Sequence, residues 1–198
     1  SHMLSELAWL ALEVKQLEPA LDFYGDRLDL HVSDRSDDEV AMAAGETDLR
    51  LRPPGPVPRG GLHTHFAFSI PSSEYDTRWA SLSDEYDLSE HTFGQAKSMY
   101  LYDPDGNCVE LGQRSDSGSG ITGVFEIVLE VENLERAEAF YSRLGASVVD
   151  RGTARERLRL DLGPVDLELW EPQLGLADAR GGVHVDFGFD GDPERVAT

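Results

Sequence analysis

Residues 99–111 read Met99-Tyr100-Leu101-Tyr102-Asp103-Pro104-Asp105-Gly106-Asn107-Cys108-Val109-Glu110-Leu111: a strand, a tight turn and a second strand. Pro suits the first corner of such a turn, and Gly or Asn supplies its positive φ. Side chains alternate along a strand, so Val109 and Leu111 share one face while Cys108 and Glu110 share the other. The apolar face packs under a helix, which turns Glu110 into whatever the opposite face encloses. The earlier segment THFAFSI (64–70) alternates in the same way. It puts Phe66, Phe68 and Ile70 on one face and His63, His65, Ala67 and Ser69 on the other.

Moving outward, the chain repeats itself. LEPALDFYGDRLDLHV (17–32) matches LERAEAFYSRLGASVV (134–149), which lays Phe23-Tyr24 over Phe140-Tyr141. DLRLRPP (48–54) matches DLELWEP (166–172), again about 117 residues later. Four alternating segments, AWLALEV (8–14), THFAFSI (64–70), FEIVLEV (125–131) and VHVDFGF (183–189), each open a strand-helix pattern. The expected fold is α+β, with βαβββ modules paired into two cupped half-barrel domains. The first domain spans 4–113 (modules 4–58 and 61–113). The Ser/Gly-rich run 114–120 is the linker, and the second domain spans 121–198. That second domain holds module 121–172 and the start of a fourth module at 182–198. The fourth module is truncated, since 14 residues follow His184. An unpaired sheet edge is prone to association, so the chain reads as a fragment of a longer protein or as one whose sheet another chain completes.

Composition narrows the function classes. The formal net charge is −21 over 198 residues, and 15 of the 17 basic residues are Arg. With 40% hydrophobic residues this is not a disordered composition. It points to a soluble, halophilic protein of a high-salt cytoplasm, where counterions screen self-repulsion. A surface that meets a basic partner is the alternative. Nucleic-acid binding is excluded for want of a basic stripe. No apolar run approaches the ~20 residues of a membrane span, so no membrane partner is expected. One cysteine gives no internal disulfide framework.

His65 and Glu110 fall on the first and last strands of one module and face one cavity. Imidazole and carboxylate on rigid strands are ligands for a divalent transition metal. Taken singly, His65 also reads as a partly buried histidine and Glu110 as a solvated strand carboxylate.

The four strand-helix starts, the ALDFYGDRL and AEAFYSRLG helices and the DPDGNCVEL hairpin resemble the vicinal oxygen chelate superfamily. That superfamily includes glyoxalase I, fosfomycin and bleomycin resistance proteins and extradiol ring-cleavage dioxygenases. The stretch EHTFGQAKSMYLYDPDGNCVEL (90–111) is similar to the catechol 2,3-dioxygenase-like branch, in which a His and a Tyr precede the metal-binding Glu. The resemblance implies a metal held by His65 and Glu110. Fe(II) is expected, with Mn, Zn or Ni as alternatives. His91 and Tyr100 become the catalytic pair that hydrogen-bonds substrate and developing charge, and His63 and Trp9 contact substrate. The implied partners are a small aromatic diol and O2, and a homo-oligomer is compatible, since exposed half-barrels of this superfamily often pair between chains.

The four ligand positions implied for the first domain are Trp9, Arg50, His65 and Glu110, of which Trp9 and Arg50 do not bind metal. His63 could supply a third ligand. Alternatively Trp9 fills the cup and Arg50 pairs with Glu110. In the second domain the positions fall on Glu126, Glu168 and His184, resembling glyoxalase-type sites. Three functions therefore stand: an extradiol-type dioxygenase, a glyoxalase-like lyase or isomerase, and a non-catalytic, drug-sequestering type of binding protein.

Overall fold

Each of the first three modules begins with a strand buried on one side, because alternation gives it one apolar row. The computed structural model describes residues 3–56, 61–153, 157–171 and 184–196. The module ends expected at 58, 172 and 182 lie outside them, as do the side chains of His63 and His184.

Module one comprises β1 (Leu4–Glu13), α1 (Leu17–Leu21, continued as a π-helix over Asp22–Arg27), β2 (His31–Arg35), β3 (Val40–Ala44) and β4 (Thr47–Arg52). Module two runs through β5 (Gly61–Pro71), a 3-10 turn at Ser72–Glu74, α2 (Tyr75–Leu82), β6 (Ser89–Phe93), β7 (Ala96–Tyr102) and β8 (Cys108–Ser115). Module three is β9 (Gly123–Glu130), α3 (Leu134–Arg143), β10 (Ser147–Arg151), β11 (Arg157–Asp161) and β12 (Asp166–Trp170). Then come β13 (His184–Gly191) and the short α4 (Pro193–Val196). Within each of the three modules the first and last strands are parallel neighbours and the other two follow antiparallel. This is the expected α+β architecture of paired βαβββ modules, in two curved sheets that meet where β13 pairs with the start of β5.

The apolar rows behave as the alternation demands. Phe66, Phe68, Ile70, Val109 and Leu111 are wholly buried, as are Tyr24 of α1's extension and, all but completely, its neighbour Phe23. Each such Phe contributes about 1.5–3 kcal/mol on burial. No helix among the described residues is long and apolar enough to cross a membrane.

The order of pairing differs from the sequence expectation. β5 pairs antiparallel with β9, so module two shares its cup with module three. β1 pairs antiparallel with β13, so module one shares its cup with the opening of module four. Alternation could not distinguish these partners, because the first strands of all modules present the same apolar and polar rows. The end of the expected linker and the residues just after it are tied to module two. Thr122 N–H donates to the Ser69 carbonyl (2.8 Å), and the Glu74 carboxylate accepts from Gly120 N–H (3.0 and 3.1 Å). These bonds lay β9 against β5.

The DPDGN turn joins modules one and two. Asp103 Oδ1 accepts from the backbone N–H groups of Asp105 (2.9 Å) and Asn107 (2.8 Å), and Gly106 takes φ 84°. Its Oδ2 accepts from the Tyr24 hydroxyl and from Asn107 Nδ2, both at 2.7 Å. Asp105 Oδ1 accepts from Lys15 N–H at 2.9 Å. Asp103, Asp105 and Asn107 are all buried. A buried carboxylate must be fully hydrogen-bonded to be tolerated, and two of these five bonds, from Tyr24 and Lys15, come from the neighbouring module.

Candidate metal centre

β5 carries His65 and Ala67 on its concave face. Register places Cys108 and Glu110 of β8 beside them on one side, and Val128 and Glu126 of β9 on the other. The fixed strand spacing converges three donors: His65, Glu110 and Glu126 each offer a ligand atom, all within 4.8 Å of one another. His65 Nε2 lies 3.2 Å from Glu110 Oε1 and 3.3 Å from Glu126 Oε1. Its ring is 17% exposed, and both carboxylates are buried.

The outer oxygens are anchored. Ser98 Oγ donates to Glu110 Oε2 (2.8 Å), and Arg159 Nη2 lies 2.6 Å from Glu126 Oε2 and 3.1 Å from Asp166 Oδ2. The inner oxygens face His65. Glu110 Oε1 is buried without a hydrogen bond: the 3.2 Å approach of the imidazole is too poorly directed to be one, whereas Nε2 is aligned with Glu126. The His65 ring at 3.2 Å is the charge partner of this oxygen, and two buried carboxylates on one imidazole leave negative charge unbalanced. This donor set fits a divalent cation that accepts mixed N and O ligands.

Charge coupling follows the geometry. Burial disfavours the imidazolium, but the close carboxylates of Glu110 and Glu126 outweigh it and raise the His65 pKa to about 9. Burial also pushes Glu110 up, yet His65, Tyr100 and Ser98 hold it below the usual carboxylate range. Burial and the adjacent Glu110 carboxylate drive the Tyr100 phenol well above its ordinary value. Tyr100 stands opposite Glu110 in register, its ring edge-on to His65 (5.6 Å) and to His91 (5.2 Å). His91 itself is exposed, on the outer strand β6.

The expected site residues thus separate into two groups. His65, Glu110, Tyr100 and His91 come together, and Glu126 joins them instead of forming a second-domain site with Glu168 and His184. Glu168 faces the same cup, but its Oε1 accepts from Trp170 Nε1 (2.8 Å) and Arg157 Nη1 (3.4 Å). His63 lies on β5 in register with Leu129, and His184 lies on β13 in register with Leu62. Trp9 and Arg50 belong to the other cup. The Arg50 guanidinium sits over the Trp9 indole (4.9 Å), which lies so close to Gly188 that a Cβ there would meet Trp9 Nε1 at 2.4 Å. Arg50 therefore does not pair with Glu110, and Trp9 lies against β13 in the module one–four cup and not in the cup that holds the triad. Missed altogether were Arg157 and Arg159. Their signal was present in the alternation R-L-R-L-D, which matches a basic row to the acidic rows of β9 and β12.

The family model described as Glyoxalase/Bleomycin resistance protein/Dioxygenase superfamily matches residues 6–111. Among solved structures, the chain is similar to a candidate dioxygenase from Bacillus subtilis, with TM-score 0.70 and 15% identity, covering 88% of this chain and 66% of that one. It is also similar to glyoxalase I from Zea mays, with TM-score 0.62 and 19% identity, covering 83% and 66%. A V278E variant of the same maize enzyme gives TM-score 0.66 at 18% identity, covering 97% and 76%. The chain spans about two thirds of the length of the first two. At these identities the likeness is one of fold. No curated protein sequence matches.

Proposed function

Since the chain belongs to the glyoxalase/bleomycin resistance protein/dioxygenase superfamily, we propose that its module two–three cup is the site of a metal-dependent enzyme of the extradiol dioxygenase type, acting on a small aromatic diol. The observation that carries this reading is the convergence of His65, Glu110 and Glu126 on one point, with Glu110 Oε1 buried, 3.2 Å from the imidazole and without a hydrogen bond of good geometry. These three would hold the metal. When bound, a divalent ion such as Fe(II) supplies Lewis-acid polarisation of the two substrate oxygens and a place for O2.

The rest is the work of this chain's residues. Arg159 and Ser98 fix the outer oxygens of Glu126 and Glu110, so the inner oxygens keep their aim. Tyr100 stays protonated across the physiological range and donates a hydrogen bond where negative charge develops. His91, edge-on to Tyr100 at the exposed rim, can take or return the substrate proton. Phe66 and Phe68 seal the opposite face and keep the strands rigid.

One observation favours a second reading. The donor set is one imidazole and two carboxylates, whereas the oxygen-activating Fe(II) triad has two imidazoles and one carboxylate. The harder set suits Mn, Zn or Ni and a glyoxalase-like lyase or isomerase, in which a carboxylate moves a proton beside a metal-held carbonyl and no O2 is consumed.

The deciding experiment loads the protein with Fe(II) anaerobically, measures metal by elemental analysis, and follows O2 uptake with catechol, with His65→Ala in parallel. About one iron per chain, lost in the variant, together with catechol-dependent O2 uptake, supports the dioxygenase. Stoichiometric metal without O2 uptake transfers the site to the lyase or isomerase reading. Absence of metal in both proteins refutes both enzymes and leaves a binding protein, for which the ligand would be sought through Trp fluorescence.

A further inference from the structure

The internal repeat offers its own control for a cleft on α3. In module one, the strand-to-helix corner is covered. Phe23 is 1% exposed, the Tyr24 hydroxyl donates to Asp103 Oδ2 (2.7 Å), and Lys15 N–H donates to Asp105 Oδ1 (2.9 Å). The occupant of that corner is the Asp103–Asn107 turn of the next module's hairpin.

Module three builds the same corner. Val14 N–H bonds to the Arg52 carbonyl, and its repeat mate Val131 N–H bonds to the Trp170 carbonyl, each at 2.8 Å. The positions of Val14, Lys15, Gln16, Pro19, Phe23 and Tyr24 are taken by Val131, Glu132, Asn133, Arg136, Phe140 and Tyr141. Those six residues line a surface cleft of about 360 Å³. Phe140 is 57% exposed where Phe23 is covered, and no residue of α3 is buried. Among the described residues neither the Tyr141 hydroxyl nor the Glu132 N–H has a hydrogen-bond partner, although the corresponding donors in module one both meet carboxylates. Burial alone raises the Tyr141 phenol above its ordinary value.

We infer that the α3 cleft is a socket for an aspartate-bearing β-hairpin turn, of the Asp-Pro-Asp-Gly-Asn kind, presented by another βαβββ module. The two donors set the chemistry: a phenol and a backbone N–H spaced as in module one call for two carboxylates on one tight turn. The exposed Phe140 supplies the apolar floor, and Arg136, where module one has Pro19, adds attraction for an acidic turn. A second copy of this chain is not the occupant. Its own such turn is already held by Tyr24 and Lys15, and docking it elsewhere would exchange one pair of bonds for another.

The test uses the full chain and a backbone-cyclised hairpin peptide carrying Tyr-Asp-Pro-Asp-Gly-Asn, first verified as a folded hairpin by NMR. Binding is followed by fluorescence anisotropy, with Tyr141→Phe, Tyr24→Phe and a peptide whose first turn aspartate is replaced by asparagine. Because α3 buries none of its residues, Tyr141→Phe leaves the fold intact. Saturable binding, weakened at least fivefold by Tyr141→Phe and by the asparagine peptide but not by Tyr24→Phe, supports the socket. No binding up to 1 mM peptide, or binding indifferent to Tyr141, overturns it. Sensitivity to Tyr24→Phe instead would mean that the peptide displaces the chain's own turn, which also overturns it. Sedimentation completes the set: a dimer that Tyr141→Phe dissolves gives the cleft to a second copy and refutes the hairpin assignment.

Discussion

Chelator-treated protein should lose stability as pH rises from 6.5 to 9, a direction opposite to that of proteins held together by ionised carboxylates alone. His65 has its pKa raised from 6.5 to about 9 by Glu110 and Glu126. A raised pKa stabilises the fold fully below the unfolded value, and that contribution disappears as pH climbs through the folded value. The displacement corresponds to about 3 kcal/mol across this window as an upper figure, since 1.36 kcal/mol accompanies each pH unit. Urea unfolding in EDTA at half-unit pH steps measures it, with His65→Gln as control. The native protein should slope downward between pH 6.5 and 9 while the variant stays nearly flat. A saturating divalent ion should reverse the slope, because coordination needs the neutral imidazole. Apparent affinity should then rise about 80-fold from pH 6.5 to 8.5, against about twofold for an imidazole of ordinary pKa. Co(II), read through its visible bands, is a suitable probe. Parallel unfolding slopes in protein and variant, or an affinity that changes only twofold, would refute the coupled triad.

Tyr24→Phe removes a 2.7 Å bond to a buried carboxylate and should cost about 1.5–3 kcal/mol, measured by the shift of the urea midpoint at unchanged slope. Gly112→Ala places a Cβ 2.8 Å from the Phe125 ring; the ring and the Arg114 guanidinium stacked on it (4.6 Å) must move, at about 1–3 kcal/mol, and unchanged Phe125 ring chemical shifts would contradict this. Gly188→Ala drives a methyl into the Trp9 indole and should shift tryptophan emission while leaving divalent-ion binding at the triad intact, because the two lie in different cups. Glu110→Gln should abolish stoichiometric metal binding yet preserve the fold, since the amide still accepts from Ser98 Oγ; full metal content in elemental analysis would count against Glu110 as a ligand.

The modules themselves were legible in the sequence because period-2 alternation and a repeated helix are local signals. His65, Glu110, Tyr100 and His91 come together because they all belong to one module, whose strand order is fixed by short connections. Glu126 was identified as a candidate but assigned to the wrong neighbours. Its company depends on which first strand lies beside β5, a long-range pairing that local alternation does not encode and that Gly120 and Thr122, at and just past the Ser/Gly-rich linker, reinforce with hydrogen bonds to module two. The anchoring of Glu126 and Glu168 by Arg159 and Arg157 was illegible for a related reason. In a chain this acidic, any arginine row has many plausible carboxylates, and only the register of β11 against β12 and β9 selects among them.

The Asp103 turn has a mechanical consequence. Glu110 is the third residue of β8, which starts at Cys108 directly after the Asp103–Asn107 turn, with no loop between the turn and the candidate ligand. Tyr24 and Lys15 grip that turn from module one, so rocking of module one acts on β8 as a lever instead of being absorbed as slack. The precision with which Glu110 is aimed is therefore set partly by the stiffness of a module that contributes no donor to the triad. Softening that far module should blur the triad without touching it.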